Sequence, residues 1–306
     1  MNPCEDDITA WFGQHSHVSS ADFPIGIGDD MAEVRLETGS VLITTDMLLD
    51  GSHFDLREAT LAQAGYKAMA ASLSDCAAMA TIPVAAVVAV ALPPGFGTEQ
   101  LKELHAGIAL AADKYDCPLI GGDITSWRAE HPFAVTVTML SKRGANAPVR
   151  RNGAKAGDAI CVTGSLGGSL RRKHLEFEPR VTEALALAQM VELHAMMDIS
   201  DGLSTDLNRI CVQSGVGALL DATSIPVSED ARLAEDPLRA ALHDGEDFEL
   251  LFTLAPDACV RLLDTWYGPV PIARIGSITE AKGMRMRLPD GTVAELVPGG
   301  FDHLGN

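Results

Sequence analysis

The longest uninterrupted apolar run is VAAVVAVAL, Val84 to Leu92. Its nine residues, mostly valine and alanine, suit a β-strand buried on both faces and fall far short of a membrane helix. Around this run, strand-like and helix-like patterns alternate. VLITTDML (Val41 to Leu48) reads as a strand, and the alanine-rich stretch from Ala59 to Ala80 reads as a helix. After a Pro-Pro-Gly break, TEQLKELHAGIALAADKY places Leu101, Leu104, Ile108 and Ala111 on one helical face. PLIGGD and FAVTVTMLSK read as strands again.

Between Lys142 and Asp158 the chain turns polar, glycine-rich and basic, as at a boundary or an active-site loop. Strands follow at Ala159 to Thr163, near Met196, and in GALLDAT, FELLFTL and IARIGSI. Helices are predicted at about Val181 to Met190 and from about Ser200. MRMRLPDGTVAEL reads as a hairpin turning at Asp290-Gly291. No short repeat and no low-complexity tract is visible. Successive strand pairs mixed with helices favour an α+β fold of mixed α/β layers over a simple doubly wound sheet. A length of 306 residues favours two domains, which we place at 1–145 and 146–306.

Composition narrows the partners. A hydrophobic content of 47% allows a sizeable core. Net charge is −19, from 23 basic and 42 acidic residues, which argues against a basic nucleic-acid surface. An anionic substrate stays possible where metal ions bridge the charges. The six cysteines, Cys4, Cys76, Cys117, Cys161, Cys211 and Cys259, form no C-x-x-C pair. They fit neither a zinc cluster nor a disulfide framework, and suit free thiols in a reducing cytoplasm. MNPCEDDITAW has neither the basic nor the apolar region of a signal peptide. A cytoplasmic protein with no membrane and no nucleic-acid partner is expected.

The candidate chemistry is carboxylate. The glycine turn at Gly26 and Gly28 runs into Asp29 and Asp30, which would repel a phosphate unless a cation intervened. Asp46 follows Thr44 and Thr45 in a strand, Asp75 closes SLSD, Asp123 ends LIGGD, and Asp198 and Asp201 bracket Ser200. One aspartate at an element end is ordinarily a turn former or helix cap. Several beside Gly, Ser and Thr are hard oxygen ligands that suit Mg²⁺. Gly121 and Gly122 would let backbone approach bulky phosphates. There is no P-loop, no complete dinucleotide fingerprint and no protein-kinase catalytic loop.

In order along the chain stand GIGDDMA, ITTDMLLDGSHF, YKAMAASLSDCAAM, LIGGDIT, CVTGSLG, DISDGLSTDL, GEDFELLFT and FDH. This ordered set resembles the thiamine-monophosphate kinase family, within the superfamily of aminoimidazole ribonucleotide synthetase. The resemblance spans about Gly26 to His303. It implies Mg²⁺-assisted transfer from ATP to thiamine monophosphate, in line and without a catalytic nucleophile. It also implies a homodimer whose N-terminal domains share a β-barrel, beside a C-terminal α/β sandwich. Val84 to Leu92 would fit such an interface. By resemblance, Asp30, Thr44, Thr45, Asp46, Asp75, Asp123, Asp198 and Asp201 are metal ligands. Gly122, Asp123, Arg151 and Ser200 contact ATP, and His53, Glu246 and Phe301 contact thiamine phosphate.

The chain departs from the family where GGSLRRKHLEFEPR shortens a longer helical segment, although His174, Leu175, Pro179 and Arg180 still match. Two other readings compete. Superfamily relatives use other acceptors, but the C-terminal cysteine of one type and the early Cys-Lys pair of another are missing here. A non-catalytic ATP- or metal-binding relative is the other, and the retained acidic set argues against it.

Overall fold

The computed structural model describes residues 5–15 and 19–304. Helix α1 (Glu5–His15) precedes strands β1 (Ala32–Leu36) and β2 (Gly39–Leu49). Helix α2 (Leu61–Ala78), β3 (Thr81–Leu92), α3 (Thr98–Asp113), β4 (Leu119–Ser126) and β5 (Ala134–Arg143) complete the first half. Their sheet runs β1-β2-β5-β3-β4. Thr60 starts α2 with a capping box: its hydroxyl accepts from the Gln63 amide, and its own amide donates to the Gln63 side chain.

Helices α2 and α3 cover one face of this sheet. They approach closely because Gly65 and Gly107 stand at the crossing, where a Cβ would meet Leu104 O at 2.2 Å and Ala62 O at 1.8 Å. The other face is uncovered in the single chain. Val84 and Val87 of β3 are 41% and 37% exposed, so the run predicted to be buried on both faces is buried on one. Periodicity could not reveal this, because valines suit a second covering layer whether or not the same chain supplies it. The sheet is open, with β1 and β4 as its edges.

The second half is β6 (Ala159–Thr163), α4 (Lys173–Glu176), α5 (Val181–Met190), β7 (Ala195–Asp198), α6 (Leu203–Ser214) and β8 (Gly217–Asp221). It continues with α7 (Pro237–His243), β9 (Leu250–Leu254), α8 (Pro256–Thr265), β10 (Ile272–Thr279), β11 (Gly283–Arg287) and β12 (Val293–Glu295). The sheet order is β12-β11-β8-β10-β6-β9-β7. Its central strands are buried on both faces. Ala159 and Cys161 of β6 point into one core with Phe252, Leu262 and α2, while Ile160 and Val162 point into another with Leu203 and Leu207 of α6. The first core joins the two halves, since Leu73 and Met69 of α2 share it with Phe177, Val181 and Phe252. The architecture is mixed α/β in two sheet-based parts.

Cys76, Cys117, Cys161, Cys211 and Cys259 are free and buried, while Cys4 lies outside the described residues. Among the described residues no helix is long and apolar enough to cross a membrane. The shortened segment folds as a turn of 3₁₀ helix, Ser169–Arg171, followed by the single turn α4. Lys173 and Arg180 tie it down by bonding the buried Glu249 carboxylate, at 2.9 Å and 2.7 Å.

Candidate active site

Three aspartates from three elements converge. Asp30 follows the Gly28 turn, Asp75 lies in the last turn of α2, and Asp198 ends β7; each offers an oxygen within 4.8 Å of the others. Hydroxyls orient them. Thr44 donates to Asp75 at 2.5 Å, Ser74 donates to Asp198 at 2.5 Å, and Ser72 donates to Asp46. Burial raises the pKa of Asp75 well above the ordinary value, with Asp46, Asp198 and Asp30 adding repulsion. Asp198 is pushed up to about 7 by burial and then by Asp30. Asp46 is raised mainly by burial, with Asp30 adding to it against the Ser72 hydrogen bond. Buried carboxylates that raise one another's pKa are a site short of positive charge, and four hard oxygen donors suit Mg²⁺.

The two aspartates of the first turn divide their tasks. Asp29 accepts from the Arg150 guanidinium and the Arg151 amide, both at 2.9 Å, which fastens the turn to the second half. Asp30 takes the Arg151 guanidinium through two bonds, of 3.1 and 2.6 Å. Arg151 therefore stands beside the cluster as its counter-ion. Arg209 plays a similar part for Asp201, bonding it and the fully buried Asp206.

Asp46 opens onto a cavity of about 420 Å³. Asp46, His53, Ser200, Asp201, Glu246 and Phe301 line it, with Thr45 at its edge. His53 Nδ1 accepts from the Leu49 amide at 3.0 Å, leaving Nε2 as the donor of a neutral ring. Burial, with Lys67 and His303 nearby, lowers its pKa to about 4, consistent with that tautomer. His303 lies 5.3 Å from the His53 ring and 4.7 Å, edge on, from Phe301. The tail that carries these rings is pinned by Gly300 N to Thr205 and Phe301 N to Asp201 O. A second cleft, of about 700 Å³, is lined by Asp29, Arg150, Arg151, Arg209, Asn152 and Asn208 among others.

Not every predicted residue joins the cluster. Thr45 faces away from Asp46 and shares a 2.9 Å hydrogen bond with Thr138. Gly122 and Asp123 lie on β4, the exposed edge. The register runs Met47, Thr136, Ala89, Asp123, which places Asp123 on the uncovered face. Three strand spacings, about 14 Å, separate it from β2. Within one chain it stands apart from Asp30, Asp75 and Asp198.

Lys67, His303 and Arg209 are site residues that the sequence reading passed over. Lys67 had a signal: a lone lysine inside the apolar face of an alanine-rich helix. His303 sat in the quoted FDH, whereas nothing local marked Arg209.

The pattern described as AIR synthase related protein, N-terminal domain, matches residues 28–142, and its C-terminal counterpart matches residues 155–289. A thiamine-monophosphate kinase from Rhodopirellula baltica is 40% identical over 293 residues, covering 91% of each chain. The solved structure of AaThiL complexed with AMPPCP and TMP superposes with a TM-score of 0.83 at 26% identity, covering 98% of this chain and 97% of that one. The thiamine-monophosphate kinase of Stenotrophomonas maltophilia gives 0.74 at 33% identity, covering 94% and 96%. With these likenesses across nearly its whole length, the chain belongs to the thiamine-monophosphate kinase family.

Proposed function

We propose that the protein transfers the γ-phosphoryl group of ATP to the phosphate of thiamine monophosphate, giving ADP and thiamine diphosphate. The observation that carries this reading is the carboxylate cluster next to two cavities of different chemistry, with Asp46 lining one and Arg151, the partner of Asp30, lining the other. The pocket with His53, Glu246 and Phe301 offers polar ends and aromatic faces to a heteroaromatic acceptor. The arginine cleft suits a polyphosphate, with Arg151 as its clamp, while Ser200 lines the acceptor pocket. The likeness to a structure holding AMPPCP and TMP supports both assignments.

Asp30, Asp46, Asp75 and Asp198, with Thr44 behind them and Asp201 at the cavity edge, would hold Mg²⁺. The ion supplies charge neutralisation for phosphates brought together in line. The acceptor phosphate is already an anion, so no general base or enzyme nucleophile is required. Arg151 orients the donor, and His53 and Glu246 orient the acceptor. On the division at 1–145 and 146–306, the cluster takes Asp30, Asp46 and Asp75 from the first part and Asp198 from the second. The acceptor pocket takes His53 from the first and Glu246 and Phe301 from the second, and most of the arginine cleft belongs to the second.

Thr45, Gly122 and Asp123 gain a role through a homodimer. The uncovered face carries Met47, 60% exposed, with Val84 and Val87. Pairing that face with a second copy would close the open sheets into a shared barrel and bring Asp123 and Gly122 towards the partner's phosphates. The test is product analysis with ATP, Mg²⁺ and thiamine monophosphate, beside free thiamine. Thiamine diphosphate from the monophosphate alone is expected. No product with ATP binding intact would move the search to another acceptor of the superfamily. An inactive chain that binds only metal would be a non-catalytic relative.

A further inference from the structure

Lys67 is among the largest fully buried side chains of the molecule, 1% exposed. It sits in the middle of α2, between Tyr66 and Ala68. A lysine in such a place needs partners. Its ammonium pairs with the Glu246 carboxylate and donates to the His53 carbonyl. One partner comes from each half of the chain, and all three residues line the same cavity.

Stability alone gives no reason for this arrangement. A well-packed apolar pair is ordinarily as stable as a buried ion pair, or more so. Glu246 also stands at φ +57° and Phe248 at +49°, a region unfavourable to residues with a Cβ. The Glu246 amide is fixed by Ser200 O, at 2.6 Å. Strained backbone and a buried lysine together place one carboxylate in one position.

The register of α2 adds a distance. Lys67, Ala71 and Asp75 follow at i, i+4 and i+8, on one helix face. Eight residues at 1.5 Å per residue put Lys67 about 12 Å from Asp75 along the axis. Asp75 belongs to the carboxylate cluster, and Ala71 lines the cavity between. One rigid helix thus carries a fixed point at each end of the acceptor pocket.

We propose that Lys67 is a positioning residue for the acceptor. It holds the Glu246 carboxylate in place, so that the heteroaromatic end is bound while the phosphate end lies at the cluster. This rests on the acceptor assignment above. Lys67 acts through Glu246, and its position along α2 keeps it away from the transferred group. The ligand class is a heteroaromatic phosphate with a hydrogen-bond donor far from the phosphate.

The test compares wild type, Lys67→Met, Glu246→Gln and the double variant, measuring KM and kcat for thiamine monophosphate and KM for ATP. Each single variant is expected to raise the acceptor KM roughly tenfold or more. The ATP KM should stay within about twofold, because the arginine cleft is untouched. The double variant should be no worse than the poorer single, because the two residues act as one unit. An unchanged acceptor KM in Lys67→Met, or multiplying effects in the double variant, would overturn the proposal. If Lys67→Met does not fold, the double variant, which buries no lone charge, is compared with Glu246→Gln. Equal acceptor KM values support the proposal, and a further loss overturns it. Wild type inactive on thiamine monophosphate would overturn the acceptor assignment and this inference with it; active wild type with unaffected variants would overturn the inference alone.

Discussion

Replacing Asp198 by Asn should stabilise the metal-free protein while abolishing its response to Mg²⁺. Asp198 is 4% exposed and shares its surroundings with Asp30 and Asp75. Its pKa is pushed from 3.8 up to about 7. The shift of about three units, at 1.36 kcal/mol each, makes the ionised form cost about 4 kcal/mol of folding stability. The sign follows from proton counting. Between pH 4 and 7 the folded state holds a proton that the unfolded state has lost, so this contribution to stability falls as pH rises. Above pH 7 the penalty is complete. Asparagine keeps the shape and an acceptor for Ser74, and neighbouring carboxylates can accept from its amide. In EDTA at pH 8 the variant should therefore gain up to about 4 kcal/mol, or roughly 8 °C in Tm for a chain of this size. Near pH 4 the gain should vanish, because a proton already does the same work in wild type. Thermal scans in EDTA and in Mg²⁺ at several pH values read both effects. The reasoning is refuted if the variant is no more stable than wild type at pH 8. It is equally refuted if Mg²⁺ stabilises both proteins alike.

Glu249→Gln removes the shared anion of Lys173 and Arg180, leaving two cations partly buried. A loss of about 3–5 kcal/mol is expected in urea denaturation, and a loss below about 1 kcal/mol would show that the shortened segment is held by other contacts. Gly300→Ala would set a Cβ 1.9 Å from Asp201 O. The tail carrying Phe301 and His303 must then move, so the acceptor KM should rise by roughly tenfold or more with the ATP KM unchanged; steady-state kinetics decide it. Val87→Glu places a charge on the uncovered face of the first sheet. It should convert a dimer to a monomer in light scattering, and a monomeric wild type would remove the shared-barrel reading.

Most element positions could be read from the sequence because their causes are local. A 3.6-residue period in α3, alternation in β5 and the Asp290-Gly291 turn are properties of short segments. Ala159–Thr163 and Val181–Met190 appear in the structure with the predicted bounds. Helices α7 and α8 were passed over, although Pro237 and Pro256 stand at their first turns, a start signal that could have found them. The ordered motifs also carried the family resemblance without any coordinates.

What the sequence determined by itself was which residues were available: oxygen ligands at element ends, an arginine in a basic loop and an aromatic near the tail. Tertiary structure decided which of them meet. Asp30, Asp75 and Asp198 span 168 residues of chain yet share one site. Asp123, equally promising in sequence, faces the other way because the register of its strand puts it on the uncovered face with Met47 and Ala89. Arg151 is a buried counter-ion of Asp30 only because the first turn folds back on it. Lys67 acquires its chemistry from Glu246, which lies 179 residues away in the chain. Secondary structure follows from neighbours a few residues apart. Charge, burial and ligand geometry follow from neighbours in space, which the topology of the sheets assigns.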